Sequence, residues 1–303
     1  MRNLLLTVCL LGGLLASVGC SSAACSAPEG SLFDQNSAWR FLLTQVSFGP
    51  RTPGSPAHQA CRDYLLARLQ EYCDTASAQE FTAVVGQETL SLSNIIGVRN
   101  PNGSPHILLC AHWDSRPRAD EDLDPANWNK PIAGANDGAS GVAVLLELAR
   151  VLAAAPPWYK VSIVFFDGED YGVEIKDYLL GSKYYAAQLA QDRPARGILL
   201  DMIGDKDLRI PQEGNSVAAA PDLVNAVWGV AASLGERTFV PEAGYTILDD
   251  HLPLIQAGVP TIDLIDFDYP YWHTVQDTAD RCSPASLGAV GRVLLAALTE
   301  GLL

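Results

Sequence analysis

The feature that most constrains the fold of this chain is a set of short apolar segments that recur along it. These segments are rich in Val, Ile, Leu and Phe, as buried strands are, and they cover 93–98, 106–111, 161–166, 197–200 and 261–265. Helical periodicity predicts helices over 55–71, 141–155, 184–190, 221–234 and 283–298. Apolar strands that alternate with helices indicate a mostly parallel sheet that is covered on both faces. We therefore predict a single α/β domain, in which helices flank both faces of a mixed, mostly parallel central sheet.

The first residues have the pattern of an export signal. A basic flank at Arg2 precedes an apolar run over 4–18, which is too short to span a membrane comfortably as a helix. The run ends in small residues before Cys20, as in a bacterial lipobox, although Ser17 stands where Leu is usual. A lipid anchor on Cys20 and ordinary secretion are both open, and either one predicts an exported bacterial protein, periplasmic or anchored to the outer membrane. We expect a signal peptide, a flexible tether and a folded catalytic domain, which cover 1–19, 20–34 and 35–303.

Composition narrows the classes of partner. A net charge of −15 argues against a nucleic-acid partner, because nucleic-acid binding needs a basic surface. With 303 residues, 48% of them hydrophobic, one large core is feasible. We expect a monomer that touches a membrane only through the lipid anchor. A single disulfide stays open, but no cysteine-rich metal site or disulfide scaffold is indicated by the spacing of the cysteines outside the leader and the lipobox, Cys25, Cys61, Cys73, Cys110 and Cys282.

Acidic residues and histidines stand directly after the predicted strands. Because the carboxyl ends of parallel strands meet at one edge of a sheet, these side chains are expected to converge there. Imidazole and carboxylate groups together are the ligands of catalytic zinc, whereas hard cations prefer oxygen alone. The sequence therefore predicts a zinc site at this edge. Its candidate residues are His112, Asp114, Asp167, Glu169, Asp170, Asp201 and His273, with Asp137 in the loop before the helix over 141–155.

The order of these residues resembles that of the zinc aminopeptidase superfamily. Four segments are closer to the animal-type (type II) glutaminyl cyclases within it, namely 165–170 (FFDGED), 199–204 (LLDMIG), 249–253 (DDHLP) and 272–274 (WHT). The resemblance runs from about Phe48 to the C-terminus. It implies a phosphorylase/hydrolase-like fold and an enzyme that converts the N-terminal glutamine of peptides to pyroglutamate with release of ammonia.

The resemblance also assigns a single zinc ion. Carried over residue by residue, it implies that Asp137, Asp170 and His273 are the zinc ligands. Members of the family often have Glu where Asp170 stands. Asp is one methylene shorter, so the ion must sit closer to that strand or the loop must move.

Four further residues receive roles from the same resemblance. Glu169 is expected to carry the proton during the reaction, and Asp201 and Asp249 to share a hydrogen-bonded group with it. Trp272 is expected to pack against the side chain of the substrate glutamine. His251, which begins a predicted helix, is expected to orient the loop before it rather than to bind metal.

Two other hypotheses remain at this point. In an exported aminopeptidase with two zinc ions, His112 and Asp201 would bind the second ion and Asp137 would bridge both. In the cyclase, His112 would be a metal-free neighbour of the carboxylates. A catalytically silent binding module on the same fold would have lost ligands, and none of the expected ligands is missing from the sequence.

Overall fold

Six strands form the central sheet of the computed structural model, which describes residues 32–189 and 192–303. They run in the order β1–β2–β4–β3–β5–β8, and two short strands, β6 and β7, pair separately. The neighbouring strands β4, β3, β5 and β8 run parallel to one another, whereas β2 pairs antiparallel with both β1 and β4. The predicted signal peptide and the tether up to residue 31 lie outside the described residues. The strands are β1 (Thr75–Val85), β2 (Glu88–Arg99), β3 (His106–His112), β4 (Lys160–Phe166), β5 (Arg196–Asp201), β6 (Ile210–Gln212), β7 (Phe239–Ala243) and β8 (Thr261–Ile265).

Helices cover both faces of this sheet. On one face, alternate residues of the central strands pack with α1, α2, α3, α6 and α8 in the larger apolar core. On the other face, the remaining strand residues pack against α4 and α7, with α5 beside β8. This arrangement confirms the predicted fold class. The helices are α1 (Gln35–Ser47), α2 (Pro56–Tyr72), α3 (Ala139–Ala154), α4 (Leu180–Ala187), α5 (Gly214–Ala219), α6 (Pro221–Leu234), α7 (His251–Gln256) and α8 (Pro284–Thr299).

None of the helices within the described ranges is both long and apolar enough to cross a bilayer. The apolar residues of the two longest apolar helices, α3 and α8, are buried in the larger core.

Three elements differ from the sequence-based expectation. Strand β1 has no predicted counterpart, because it is an edge strand whose residues are mostly exposed or half-buried, so it lacks an apolar run. Helix α1 was likewise not predicted. The helix expected over 184–190 begins earlier, at Leu180, after Leu179 in a left-handed conformation (φ 60°). Gly181 and Ser182, which are typical of turns, stand in the first turn of this helix, so the sequence pattern places its start too late.

The path of α3 brings the site together. A side chain carbon on Gly141 would lie 2.3 Å from the carbonyl oxygen of Leu200 and 3.0 Å from Cβ of Ala111. Helix α3 therefore approaches β5 and β3 more closely than any larger residue at this position allows. As a result, the loop that precedes α3 lies directly over the carboxyl ends of these strands.

We predict that Gly141→Ala destabilises the protein by about 1–3 kcal/mol, since the added methyl overpacks the contact with β5. Gly229→Ala is the matched control, because an added Cβ there meets nothing within 4 Å on the exposed side of α6. That substitution should be neutral or stabilise by up to about 1 kcal/mol through helix propensity. Urea unfolding of both variants measures the difference, and equal stabilities would contradict the proposed close approach.

Candidate metal and catalytic site

The predicted site residues meet at the carboxyl edge of the sheet. His112 is the last residue of β3 and Asp201 is the last residue of β5. Glu169 and Asp170 follow β4, and His273 lies in the loop after β8. The positions along the chain are far apart, so the convergence depends on the parallel order of these strands.

One group of three side chains has the geometry of a metal site. One ligand atom each of Asp137, Asp170 and His273 lies within 4.8 Å of the others, and all three residues are buried. Nε2 of His273 is 3.1 Å from Oδ1 of Asp170 and 3.7 Å from Oδ2 of Asp137. Oδ2 of Asp137 and Oδ2 of Asp170 are buried without a hydrogen-bond partner among the described residues. Buried carboxylate oxygens need a partner, so these residues fit a bound cation.

The loop that carries Asp137 is held by a buried carboxyl group. Asp277 accepts hydrogen bonds from the backbone N–H groups of Asn136 (2.8 Å) and Asp137 (3.2 Å). The hydroxyl of Tyr269 donates a third hydrogen bond to Asp277, at 2.9 Å. Burial, together with the charge of Asp137, raises the pKa of Asp277 to about 7. Asp277 therefore fixes the direction of a predicted metal ligand from beneath it.

Arg116 holds Asp170, the second predicted ligand. Its guanidinium donates to Oδ1 of Asp170 at 2.8 Å and to the backbone oxygen of Asp170 at 3.0 Å. Arg116 also pairs with Asp120, whose Oδ1 lies 3.8 Å from Nδ1 of His273. The carboxylate of Asp114 accepts the backbone N–H groups of Glu169 and Asp170 at 3.1 and 3.3 Å. These contacts fix the short side chain of Asp170 where it reaches His273.

His273, the third predicted ligand, stacks on the neighbouring Trp272. The rings of Trp272 and His273 stack with their centroids 3.7 Å apart and an angle of 25° between their planes. His273 has a positive φ of 53°, which is uncommon for a residue other than glycine. Trp272 also contacts Phe267, with ring centroids 5.2 Å apart. Trp272 therefore packs against the predicted ligand His273 and also lines the cleft beside it.

His112 lies within a second group of possible ligands. Its Nε2 is 3.0 Å from Oδ1 of Asp137 and 3.2 Å from Oδ1 of Asp201, and the three residues offer ligand atoms within 4.8 Å of one another. Its Nδ1 is 3.5 Å from Asp114. Burial opposes protonation of His112, but the carboxylates of Asp114, Asp137 and Asp201 outweigh it and raise the pKa of His112 well above its usual range. Asp137 therefore belongs to two groups of candidate metal ligands, one with Asp170 and His273 and one with His112 and Asp201.

Three further carboxyl groups lie on the cleft side of the ligands. Burial, with the nearby charges of Asp170 and Asp249, raises the pKa of Glu169 well above its usual range. Burial raises the pKa of Asp201 as well, and burial with the charge of Asp201 raises that of Asp249 to about 7. Groups that compete for protons in this way can accept and return a proton near neutral pH.

These groups open into a cleft of about 430 Å³. Its polar floor contains both ligand carboxylates and Glu169, and its walls are apolar, with Trp272 and Phe267 on one side. None of the residues of the loop over 116–132 lines the cleft. Arg116 and Asp120 in this loop contact the ligands from behind instead.

Comparison with known proteins now defines the family. The profile described as Peptidase family M28 matches residues 94–298, which is more than half of the chain. The chain belongs to this family. The resemblance to the zinc aminopeptidase superfamily inferred from the sequence is therefore confirmed.

The most similar proteins include several that are named as cyclases. The chain is 28% identical over 283 residues to the glutaminyl-peptide cyclotransferase of Bos taurus, covering 80% of this chain and 76% of that protein. It is 40% identical to the glutaminyl cyclase of Tannerella forsythia, with a TM-score of 0.85 over 88% of this chain and 98% of that structure. A Zn-dependent exopeptidase from Parabacteroides distasonis is 37% identical, with a TM-score of 0.86 over 88% and 98%. The family M28 fold is thus shared by neighbours with cyclase and peptidase names.

Sequence reasoning did not identify Arg116, Asp120 or Asp277 as parts of this family M28 site. Each acts on a residue that is distant in the chain: Arg116 is 54 positions from Asp170, and Asp277 is 140 positions from Asp137. No local pattern marks such contacts. Asp114 carried a usable signal, because it stands two residues after His112 at the end of a predicted strand.

We predict that Asp277→Asn weakens zinc binding by about 10- to 100-fold, because the loop that carries Asp137 loses its anionic acceptor. Competition with a chromogenic chelator measures the affinity. Asp280→Asn is the control, since Asp280 is exposed and hydrogen-bonds only within its own turn, to Thr278. An unchanged affinity in Asp277→Asn would show that the loop is held without this carboxylate.

Proposed function

We propose that the protein is a zinc-dependent glutaminyl-peptide cyclotransferase, which converts the N-terminal glutamine of peptides to pyroglutamate and releases ammonia. The observation that carries this proposal is that Glu169, Asp201 and Asp249, three carboxyl groups with raised pKa values, line one cleft with Trp272 and the three candidate zinc ligands. We assign these three carboxyl groups as a proton-holding group. The cyclase names of relatives in mammals and bacteria support the proposal.

The reaction makes a specific demand on proton handling. The α-amino nitrogen of the substrate attacks the γ-carboxamide carbon, the new C–N bond closes the ring, and the original C–N bond breaks. The amine gives up a proton and the departing nitrogen takes one up, so ammonia leaves and no water is consumed. One carboxylate that accepts and then returns a proton satisfies this balance. Glu169 is the group assigned to that step, because it lines the cleft beside Asp137 and Asp170.

The assigned roles of the surrounding residues follow from their positions. Asp137, Asp170 and His273 would hold one zinc ion, which when bound supplies Lewis-acid polarisation of the γ-carbonyl oxygen. Burial and the negative charges of Asp170 and Asp249 raise the pKa of Glu169, and Asp201 and Asp249 would share protons with it. Trp272 supplies an apolar surface against which the glutamine side chain folds back toward its own amine, an entropic contribution to rate.

A second function is favoured by one specific observation. His112, Asp137 and Asp201 also offer ligand atoms within 4.8 Å, as an exported aminopeptidase with two zinc ions requires. In that reaction Glu169 would take a proton from the attacking water, and Asp201 would be a ligand rather than a member of the proton-holding group. The exopeptidase name of a neighbour supports this alternative.

The residues that precede the catalytic domain are also assigned roles. We propose export through a signal peptide over 1–19, a tether over 20–34 and a catalytic domain over 35–303. Phe33 already packs against the larger core, beside Gly291 of α8. Lipid attachment at Cys20 would leave the enzyme as a monomer tethered to a membrane, acting on peptides that reach the periplasm or the outer surface.

The decisive experiment compares two peptides that differ only in their first residue. With a glutamine-initiated peptide, we expect release of ammonia and a product lighter by one NH₃, about 17 Da. A leucine-initiated peptide should stay intact. Metal analysis of the same preparation should give about one zinc ion per chain. Free leucine together with about two zinc ions would establish the aminopeptidase instead.

We predict that Glu169→Gln lowers kcat by about 10²- to 10⁴-fold while zinc content stays at the parent level, because the variant keeps the shape but cannot accept a proton. Steady-state ammonia release and metal analysis provide the two readouts. Glu174→Gln, five residues along the same loop and exposed to solvent, is the control and should retain parent activity. A Glu169→Gln variant with full turnover would remove Glu169 from the mechanism.

A further inference from the structure

Another buried carboxylate, Glu213, lies behind the site and was not identified from the sequence. It is 1% exposed and accepts four hydrogen bonds. Three of them come from the start of α5: the backbone N–H groups of Asn215 (2.9 Å) and Ser216 (2.6 Å), and the hydroxyl of Ser216 (2.7 Å). The fourth comes from the backbone N–H of Ile247, at 3.0 Å. Glu213 therefore does more than cap α5.

The loop that carries Asp249 is held by Glu213 on both sides. On the N-terminal side, Ile247 donates to Glu213, and its carbonyl accepts a hydrogen bond from the side chain of Asn215 at 2.9 Å. On the C-terminal side, Nε2 of His251 lies 3.3 Å from Oε2 of Glu213. Asp249 is thus two residues from a fixed point in each direction. With both ends fixed, the conformations open to its backbone are few.

His251 extends this contact toward the reacting groups. Its ring is fully buried, and Nδ1 lies 3.7 Å from Oδ2 of Asp263 in the middle of β8. Asp249, His251 and Asp263 present side-chain atoms within 4.8 Å of one another. The backbone N–H of Asp263 donates to the hydroxyl of Ser216, at 2.9 Å, which closes the connection back to α5. Asp249 therefore rests on a continuous buried polar frame formed by Glu213, Ser216, His251 and Asp263.

This frame is more than packing requires. Burial opposes ionisation of Glu213, but the imidazole of His251 at 3.3 Å and the hydrogen bonds from the N–H groups of Asn215 and Ile247 prevail and hold the pKa of Glu213 at about 2. A permanent charge at a fully buried position carries a large desolvation cost, and an apolar or neutral residue would fill the same space more favourably. The contacts of this charge all point to α5 and to the loop around Asp249. Its position is therefore accounted for by the loop it holds.

We propose that Glu213 and His251 are positioning residues that hold the Asp249 carboxyl against the proton-holding group of the active site. This inference rests on the proposed function, in which Asp249 shares protons with Glu169. Neither residue lines the cleft, so neither is assigned contact with the substrate. Their effect is transmitted through the 247–251 loop.

The test uses Glu213→Gln in the full-length, zinc-loaded enzyme with a glutamine-initiated peptide. A shift of the Asp249 carboxyl of the order of 1 Å should lower kcat by about 10- to 100-fold. KM should change by less than about threefold, since ground-state contacts to the substrate are kept. The solvent isotope effect on kcat should increase, because proton transfer becomes the slow step. Zinc per chain should stay at the parent value.

Two companion variants keep the result interpretable. Glu147→Gln is the matched control, because Glu147 is also a fully buried carboxylate, paired with Arg150 on α3. It should lose stability but keep the parent kcat and isotope effect. His251→Asn removes the other half of the connection and should reproduce the kinetic pattern of Glu213→Gln. It decides the question if Glu213→Gln does not fold.

Three outcomes would overturn the inference. A parent kcat in folded Glu213→Gln and His251→Asn would reduce Glu213 to a cap of α5. Parallel changes in kcat, KM and zinc content would indicate general damage to the site. Loss of a metal ion that does not belong to the catalytic site would make Asp249, His251 and Asp263 ligands instead. Failure of the proposed function is seen separately, as the absence of ammonia release by the parent enzyme.

Discussion

The rest of this structure depends on the electrostatic cost of gathering buried carboxyl groups at one edge of a sheet. Asp137, Asp170, Asp201 and Asp249 are buried within one site, and Glu169 lies half-buried among them, so mutual repulsion is strong. Such a cluster is stable only with protons, cations or hydrogen-bond donors among its members. The folded chain supplies donors to several members, and burial with the neighbouring negative charges raises the pKa values of Glu169 and Asp249. A metal ion is the partner that the remaining oxygens lack.

The supporting residues divide this task according to the chemistry each ligand needs. Asp170 pairs with the guanidinium of Arg116 at 2.8 Å, which places a full positive charge beside it. Asp137 is held only through its backbone N–H, which Asp277 accepts, so both of its side-chain oxygens stay available to His112, His273 and a cation. The difference has a consequence. Asp137 can bridge two groups, whereas Asp170 is committed to one.

Much of this arrangement could be predicted from the sequence, and the reason is topological. Apolar strands made the parallel sheet recognisable, and parallel strands bring His112, Glu169 and Asp201 to one edge whatever the loops do. The supporting shell could not be predicted, because Arg116, Asp277 and Glu213 act through contacts between distant parts of the chain. Edge strand β1 was missed for a related reason: its half-exposed residues leave no apolar signal.

The choice between cyclisation and hydrolysis then turns on Asp201 rather than on the zinc ligands. If Asp201 is a second ligand, its oxygen is committed to a cation and cannot share a proton with its neighbours. If it instead accepts a hydrogen bond from His112, the cation-free group of Asp201, Asp249 and Glu169 can hold the proton that cyclisation moves from one nitrogen to the other. The buried frame beneath Asp249 favours the second arrangement, because it holds in the cleft a carboxyl whose Oδ1 accepts the backbone N–H of Asp250 and whose Oδ2 has no hydrogen-bond partner among the described residues. That oxygen is available to share a proton.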